Sequence, residues 1–187
     1  MRTLMFRVAI AWLLWSNLAT LAAQTPSENA KSLQGLVSSN LIVISLSLPE
    51  TQLLNKPDEP YRVSNKISVK VTVRNNSDQT IRVRRVDGFY QNRPQLFRNG
   101  KLLPYRGNLE SDLRQQEGNP EFVSLRHVVR VSPFASENLT KIDLNDWYGE
   151  LVPGSYKLIN RYRLDVRGPW TADSAPLSFQ VVEEKKQ

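Results

Sequence analysis

The chain has 187 residues, with 25 Lys and Arg against 18 Asp and Glu, a formal net charge of +7 and no cysteine. This length is enough for one domain with its own hydrophobic core. The lack of cysteine excludes disulfides, thiolate metal sites, cysteine nucleophiles and a lipid anchor on an N-terminal cysteine, and the positive charge favours anionic partners.

Residues 1–23 predict a secretory signal peptide. Two arginines precede an apolar run over residues 8–21, and the small residues Ala22 and Ala23 follow it. A membrane-spanning helix needs about 20 apolar residues and this run is shorter, so an uncleaved anchor is the second interpretation. We expect cleavage after Ala23, or after Ala22, and therefore a secreted or periplasmic protein.

The rest of the chain divides into a lead-in, one domain and a tail. Residues 24–40 are polar and rich in small side chains, which predicts a flexible lead-in. Residues 41–182 predict the domain, and residues 183–187 predict a solvated tail. The domain begins with a strand over residues 41–48, which are dense in β-branched side chains. Residues 66–74 alternate strictly, and their inward row is Ile67, Val69, Val71 and Val73.

Two hairpins and a long loop are expected next. The turn residues 75–79 predict that residues 80–86 return beside the preceding strand as a hairpin. Asn99-Gly100 predicts a second hairpin, because this dipeptide suits a tight turn with positive φ. Residues 106–120 lack apolar periodicity and predict a long loop with at most one helical turn.

Residues 143–164 predict the tyrosine corner of a sandwich. Leu151, Pro153 and Gly154 mark a sharp turn, and Tyr156 heads the next strand. In a tyrosine corner the phenol is tied to backbone a few residues upstream. The inward row of this strand is Tyr156, Leu158, Tyr162 and Leu164, interrupted by Asn160, which is expected to be a buried structural polar residue. Other strands are expected over residues 122–131, 139–144 and 176–182.

Short strands separated by turns, with no convincing amphipathic helix, predict an all-β fold. We expect an immunoglobulin-like antiparallel β-sandwich with Greek-key connections, about 7–9 strands and no disulfide. The rows that begin at Ile67 and Tyr156 should then line opposite walls of one interior.

Three segments carry a resemblance to known proteins: residues 71–83 (VTVRNNSDQTIRV), 94–105 (PQLFRNGKLLPY) and 143–158 (DLNDWYGELVPGSYKL). Together they resemble secreted bacterial immunoglobulin-like domains of uncharacterised function and, more distantly, the sandwich domain of BsuPI-type bacterial proteinase inhibitors. The resemblance implies the sandwich fold and adds proteinase inhibition as an alternative function. No inhibitory residue of that family matches a position of this chain, so a rigid loop over residues 106–120 is the candidate segment.

Catalytic signatures are missing from the sequence. It contains no G-x-S-x-G elbow, Gly-rich phosphate loop or H-E-x-x-H motif. Its single histidine, His127, should point inward with Val129 as a structural residue. We predict no enzyme activity, no catalytic residue, no metal and no cofactor.

Paired carboxylates leave a glycan hydrolase as a second alternative. The available pairs are Asp58 with Glu59 and Asp143 with Asp146. The second pair is also expected to cap a short helical turn before Trp147.

A basic face is the candidate binding site. Outward positions on two predicted strands carry Arg82, Arg84, Lys157, Arg161 and Arg163. We expect these strands to be the neighbouring strands C and F, so that the five cations share one sheet surface, joined by Arg93 and Arg98. Such a face suits an anionic glycan, a lipid headgroup or a protein partner, and no nucleic acid is expected. The alternative is a solvated outer face that binds nothing.

Three aromatic residues are a second candidate. Trp147, Tyr148 and Trp170 flank the predicted corner. They are expected either to close the open ends of the sandwich or to contact a sugar or a partner protein.

Overall fold

The structure is a computed structural model that describes residues 28–48, 61–62, 66–119 and 127–183, with backbone alone for residues 61–62. The predicted signal peptide and residues 184–187 of the predicted tail lie outside these ranges, as do residues 122–126 of a predicted strand.

Ten strands and four helices are described. The strands are β1 (Ile42–Ser47), β2 (Tyr61–Arg62), β3 (Ser68–Asn75), β4 (Ile81–Arg85), β5 (Asn92–Arg98), β6 (Lys101–Leu102), β7 (His127–Val131), β8 (Ser136–Asp143), β9 (Gly154–Tyr162) and β10 (Leu177–Val182). The helices are α1 (Glu28–Ser38), α2 (Gly88–Gln91), α3 (Leu109–Gly118) and α4 (Leu144–Tyr148).

The strands form two main sheets and a separate ribbon. The three-stranded sheet has the order β1-β3-β8, the five-stranded sheet has the order β2-β10-β9-β5-β6, and β4 pairs with β7 as the ribbon. All of these pairs are antiparallel except β2 with β10. The predicted all-β, immunoglobulin-like sandwich is confirmed, with β3 and β8 in the places of strands B and E and β5, β9 and β10 in those of C, F and G. Two of the ten strands, β2 and β6, are only two residues long.

The core lies between the two main sheets. The rows from Ile67 to Val73 on β3 and from Tyr156 to Leu164 around β9 are buried and belong to one hydrophobic cluster. Because alternate side chains of a strand point to opposite faces, β3 and β9 each bury one row and leave the other partly or fully exposed. Each fully buried Val or Leu contributes about 2 kcal/mol, so this interior supplies most of the stability of a chain without disulfides.

The predicted hairpin between residues 66–74 and 80–86 is wrong. β3 pairs with β1 and β8, whereas β4 pairs with β7. The fully buried side chain of Asn75 turns the chain from one layer to the next: its Oδ1 accepts hydrogen bonds from Ser77, and its Nδ2 lies 2.7 Å from the carbonyl oxygen of Gln79 and 3.1 Å from that of Val131. The amide therefore satisfies backbone groups at a corner between layers, where a hairpin turn would have reversed the chain within one sheet.

Two segments predicted to lack regular structure are helical. Within the predicted flexible lead-in, α1 buries Ala30 and Leu33, which lie three residues apart on one helix face. Within the predicted loop of residues 106–120, α3 spans ten residues and buries Leu113. Both sequences are mostly polar, and in each case a narrow apolar stripe is enough to hold the helix against the sandwich.

The second predicted hairpin and the tyrosine corner are confirmed. Asn99 and Gly100 have φ angles of 48° and 81° and connect β5 to β6. The Tyr156 hydroxyl donates a 2.5 Å hydrogen bond to the carbonyl oxygen of Val152, and Leu151 is buried at the same corner. Gly154, after Pro153, allows a close approach, since a Cβ atom there would lie 3.0 Å from Nε of Arg98.

The inward orientation predicted for His127 is wrong. The residue is exposed at the start of β7, opposite Arg85, whose Nη1 lies 2.9 Å from the His127 Nε2. It does share a strand face with Val129 and Val131, of which Val129 is half-buried and Val131 is buried.

Candidate ligand-binding face

The predicted basic face is divided between two parts of the molecule. Arg82 and Arg84 lie on β4, which pairs with β7, while Lys157 and Arg161 lie on β9, between β5 and β10, and Arg163 follows β9. The strand that lies beside β9 in the place of strand C is therefore β5, whereas the prediction placed β4 there. The prediction that the five cations share one sheet surface is therefore wrong. Alternation along a strand shows which side chains point outward, but it does not show which strand lies next to it.

Lys157 and Arg161 belong to the outer face of the five-stranded sheet. We define the outer face as the outward side chains of β5, β9 and β10, which are Arg93, Gln95, Phe97, Ser155, Lys157, Ile159, Arg161, Ser178, Gln180 and Val182. These positions include three cations and no Asp or Glu. Outward positions of a solvated sheet normally carry both signs of charge, so the composition of this face is one-sided.

One end of the outer face holds an aromatic ring beside an ammonium group. Lys157 is paired with Phe97 on one side and with Ser178 on the other, and its Nζ lies 5.0 Å from the centre of the Phe97 ring. Ser155 and Gln180 form the next cross-strand pair. Because two serines stand between larger side chains, the surface sinks here into a shallow depression of about 510 Å³.

The other end of the outer face is a tryptophan cluster, made of Trp170 with Arg93, Arg161 and Arg163. The three guanidinium carbons lie 4.8, 5.2 and 4.5 Å from the centre of the indole ring, in that order. The Trp170 backbone forms a bridge with Arg163 and thereby returns the chain beside the end of β9. The prediction that Trp170 closes an end of the sandwich or contacts a sugar or a partner did not include its position over the three arginines.

Two of these arginines share one carboxylate and are engaged within the protein. Glu117 of α3 lies 2.6 Å from Arg93 and 3.7 Å from Arg163. The Nη1 of Arg93 also donates to the backbone carbonyls at the end of α2, and burial lowers the pKa of this guanidinium while Glu117 acts in the opposite direction. Arg163 donates 2.7 Å to the Tyr90 hydroxyl. Both side chains therefore hold α2 and α3 against the sheet.

Arg161 and Lys157 remain available to a ligand. Both are exposed, and neither makes an ion pair within the described part of the chain. They are four residues apart on β9, about 13 Å along the strand. A cation beside an aromatic ring thus occurs twice on the outer face, once at each end.

A buried amide pair fixes the strands that carry the outer face. The side chain of Asn160 donates 2.9 Å to Oδ1 of Asn92 and accepts 3.1 Å from the backbone nitrogen of Arg93. These bonds cross from β9 to β5, and they set Arg93 directly opposite Arg161. The prediction that Asn160 is a buried structural residue is confirmed.

Two of the three predicted aromatic residues close one end of the sandwich. Trp147 is buried with its ring centre 4.9 Å from that of Phe89. The Tyr148 hydroxyl donates 2.7 Å to the carbonyl oxygen of Pro94 and accepts 3.1 Å from the nitrogen of Leu96, and burial raises the pKa of this phenol. Only Trp170 of the three lies beside the outer face, over Arg93 and Arg161.

One of the candidate carboxylates, Asp143, makes an ion pair within the fold. Asp143 lies 3.0 Å from Nζ of Lys66, and it precedes α4 without making a side-chain capping bond. The predicted helical turn before Trp147 is confirmed as α4, but Asp143 does not cap it. Asp58 and Glu59 lie outside the described residues, and within the described residues no three His, Asp or Glu side chains could together hold a metal ion.

Sequence comparisons with known proteins give no match, so function is inferred from the outer face. No known family model matches the chain. No curated protein matches it in sequence. Of the helices in the described ranges, none is both long and apolar enough to cross a bilayer.

Proposed function

We propose that this protein is a non-enzymatic, extracytoplasmic binding module that recognises an acidic glycan through its outer face. The observation that carries the proposal is the composition of the three central strands, whose outward positions present three cations, the Phe97 ring and no carboxylate, with the Trp170 ring beside Arg161. A related proposal is that the chain belongs with the secreted bacterial immunoglobulin-like domains that its sequence resembles.

The two ends of the outer face supply what an acidic sugar needs. The apolar side of a pyranose ring packs on an aromatic ring, and Phe97 and Trp170 offer one at each end. A carboxylate or sulfate accepts charge-assisted hydrogen bonds, which Lys157 and Arg161 can donate. Ser155, Ser178 and Gln180 line the depression beside Lys157 and offer hydroxyl and amide groups to the sugar hydroxyls.

The proposed location is the cell envelope or the surrounding medium. The layout of residues 1–23 supports it, since a positive end, an apolar run and small residues are typical of a secretory signal. Anionic polysaccharides are among the partners that a protein meets there. Inhibition of a proteinase has less support, because residues 109–118 are helical and packed through Leu113, whereas an inhibitor needs a rigid exposed loop.

The test is binding to heparin and polygalacturonate, with dextran as the neutral comparison. The double variant Lys157→Ser/Arg161→Ser should bind both acidic polymers at least about tenfold more weakly than the wild type, because each lost charge-assisted contact is worth roughly 1.5 kcal/mol or more. Neither protein should bind dextran.

A charge-matched control separates the site from the overall charge. Lys31 and Lys141 are exposed cations on α1 and on β8 of the three-stranded sheet, so Lys31→Ser/Lys141→Ser removes the same charge elsewhere. Equal weakening by the two double variants would reduce the interaction to net charge and remove the outer face as a site. Arg163 is unsuitable for this test because its contacts with Tyr90 and Glu117 support the fold.

A further inference from the structure

Phe134 is the most exposed large hydrophobic side chain among the described residues, at 64%. It lies in the turn between β7 and β8, which we call the Phe134 tip and define as residues 132–135. An aromatic ring left in water loses the free energy that burial would provide. A single exposed apolar residue is common in proteins, so its backbone and its neighbours decide whether it has a role.

The backbone of the tip is unfavourable for phenylalanine. Pro133 and Phe134 are the two central residues of a turn closed by a 3.2 Å bond from the Ala135 nitrogen to the Ser132 carbonyl oxygen, and Phe134 has a φ of 57°. A turn with proline first and positive φ second is of type II, in which glycine or asparagine is favoured at the second position. Phe134 therefore serves neither solubility nor backbone stability.

The tip is held rigidly. Nδ2 of the buried Asn75 lies 3.1 Å from the carbonyl oxygen of Ser132, and the Asn75 backbone nitrogen donates 2.9 Å to the carbonyl oxygen of Ala135. These bonds fix both ends of the turn to β3. The backbone that carries the Phe134 ring is therefore already ordered, and it loses little conformational entropy when the ring binds a partner.

Arginines stand directly behind the tip. Arg82 on β4 and Arg130 on β7 are a cross-strand pair with exposed side chains, and neither makes an ion pair within the described residues. Like charges directly opposite each other destabilise a strand pair, unless an anion lies between them. Two guanidinium groups in this arrangement match the oxygens of a phosphate.

Other charges near the tip are mixed. Arg74 is exposed and faces Ser136, two residues after Phe134. The acids Asp78 and Glu137 lie in the neighbouring turn and on β8, and they weaken any attraction to anions. The net charge behind the tip is only slightly positive, so the apolar ring and the cations must act together.

We propose that the Phe134 tip docks on the surface of an anionic lipid bilayer. The ring of Phe134 enters the boundary between headgroups and acyl chains, and Arg82 and Arg130, about two residues or 7 Å behind the turn, bind lipid phosphates. A bilayer fits better than a protein pocket, because the ring stands alone on a turn beside cations, whereas protein hot spots lie at the centre of a larger patch that excludes water.

The test is cosedimentation of the full chain with vesicles of phosphatidylglycerol and phosphatidylcholine in equal parts, compared with phosphatidylcholine alone. The wild type should partition onto the anionic vesicles. Phe134→Asn should reduce this partition at least about tenfold, because burial of the ring is lost. Asparagine is favoured at positive φ, so the variant should keep or increase its resistance to urea, which distinguishes lost docking from lost folding.

Further variants test each part of the proposal. Arg82→Ser/Arg130→Ser should also weaken partition and should make it less sensitive to salt. Leu102→Ser removes an apolar side chain that is 52% exposed on β6, and it should leave partition unchanged. All variants keep the same N-terminal residues, so any lipid affinity of residues 1–23 cancels in the comparison.

The proposal would be overturned by equal partition of the wild type onto anionic and neutral vesicles, by wild-type partition of Phe134→Asn, or by a loss in Leu102→Ser as large as that in Phe134→Asn. Displacement of the wild type from vesicles by inorganic phosphate at low concentration would point to a free anion as the ligand, and it would also overturn docking on lipid. A protein that binds no vesicles while retaining its fold would leave a protein partner as the occupant of the tip and end the lipid proposal.

Discussion

The amide of Asn75 and the carbonyl oxygen of Ser132 lie 3.1 Å apart across 57 residues of sequence. This contact joins the corner after β3 to the turn after β7. The same amide group reaches the carbonyl oxygen of Gln79, so one buried side chain organises two turns.

Asn75→Ala should lower the free energy of unfolding by about 3 kcal/mol, because several buried carbonyl and N–H groups lose their partners at once. Asn75→Asp should be at least as harmful, since a carboxylate cannot donate to carbonyl oxygens. Urea unfolding of the three proteins measures both effects. Asn76→Ala, which removes only a contact with Arg74 at the surface, should change the free energy by less than about 0.5 kcal/mol. Equal results at the two positions would contradict the role of Asn75.

Tyr156→Phe tests the tyrosine corner. The ring stacks on Phe179 with centres 5.3 Å apart, and phenylalanine keeps this contact while losing the bond to Val152. The variant should lose about 1 kcal/mol of unfolding free energy, the usual net value of one hydrogen bond. Tyr156→Ala loses the ring as well and should cost about 4 kcal/mol. A Tyr156→Phe protein as stable as the wild type would mean that the corner bond adds nothing.

The sequence predicted the sandwich and its two core rows because period-2 alternation is a direct consequence of the pleated strand. The rows at Val69 and Leu158 are buried as expected. The pairing of strands could not be predicted in the same way. An outward arginine such as Arg82 shows the same alternation whether its neighbour is β9 or β7.

The buried amides were also hard to recognise from sequence. Gln91 accepts from the nitrogen of Val86 and donates 2.7 Å to the carbonyl oxygens of Arg84 and Arg163, which ties the end of β4 to the end of β9. Nothing in the sequence distinguishes Gln91 from an exposed polar residue of a loop. For the outer face, the alternation of Arg93, Gln95 and Phe97 in the sequence indicates that these side chains point to the same side of a strand. It does not indicate that this strand lies beside β9, which is what joins them to Lys157 and Arg161.

Glu117→Gln should strengthen binding of acidic polysaccharide by about threefold, because it removes the carboxylate nearest the tryptophan cluster and leaves the charges of Arg93 and Arg163 in place. The same change should lower the free energy of unfolding by about 1 kcal/mol, since the Arg93 side chain is only 11% exposed and loses its anionic partner. Affinity and urea stability should thus move in opposite directions.

Glu110→Gln on the same helix is the matched control for Glu117→Gln. Glu110 pairs with Arg114 at the exposed surface of α3, so the change in net charge is identical. Its effect on stability should stay below about 0.5 kcal/mol. An equal gain in polysaccharide binding by both variants would attribute the effect to net charge and contradict the specific role of Glu117.

The ion pair between Lys66 and Asp143 should make stability depend on pH at the acid end. Burial by itself would raise the pKa of Asp143, but hydrogen bonds from Ser68 and Lys66 and the nearby positive charges outweigh it and hold this pKa below its usual value of 3.8. A carboxyl group whose pKa is lowered by folding stabilises the fold above the pKa of the unfolded chain, and it loses this contribution as the pH falls through the folded pKa. The difference in unfolding free energy between the wild type and Asp143→Asn should therefore be greatest near neutral pH and should shrink below pH 4, as measured by urea titration at several pH values. The double variant Lys66→Gln/Asp143→Asn should lose little more unfolding free energy than Asp143→Asn alone. A difference between the wild type and Asp143→Asn that stays constant down to pH 2 would contradict a lowered pKa for Asp143.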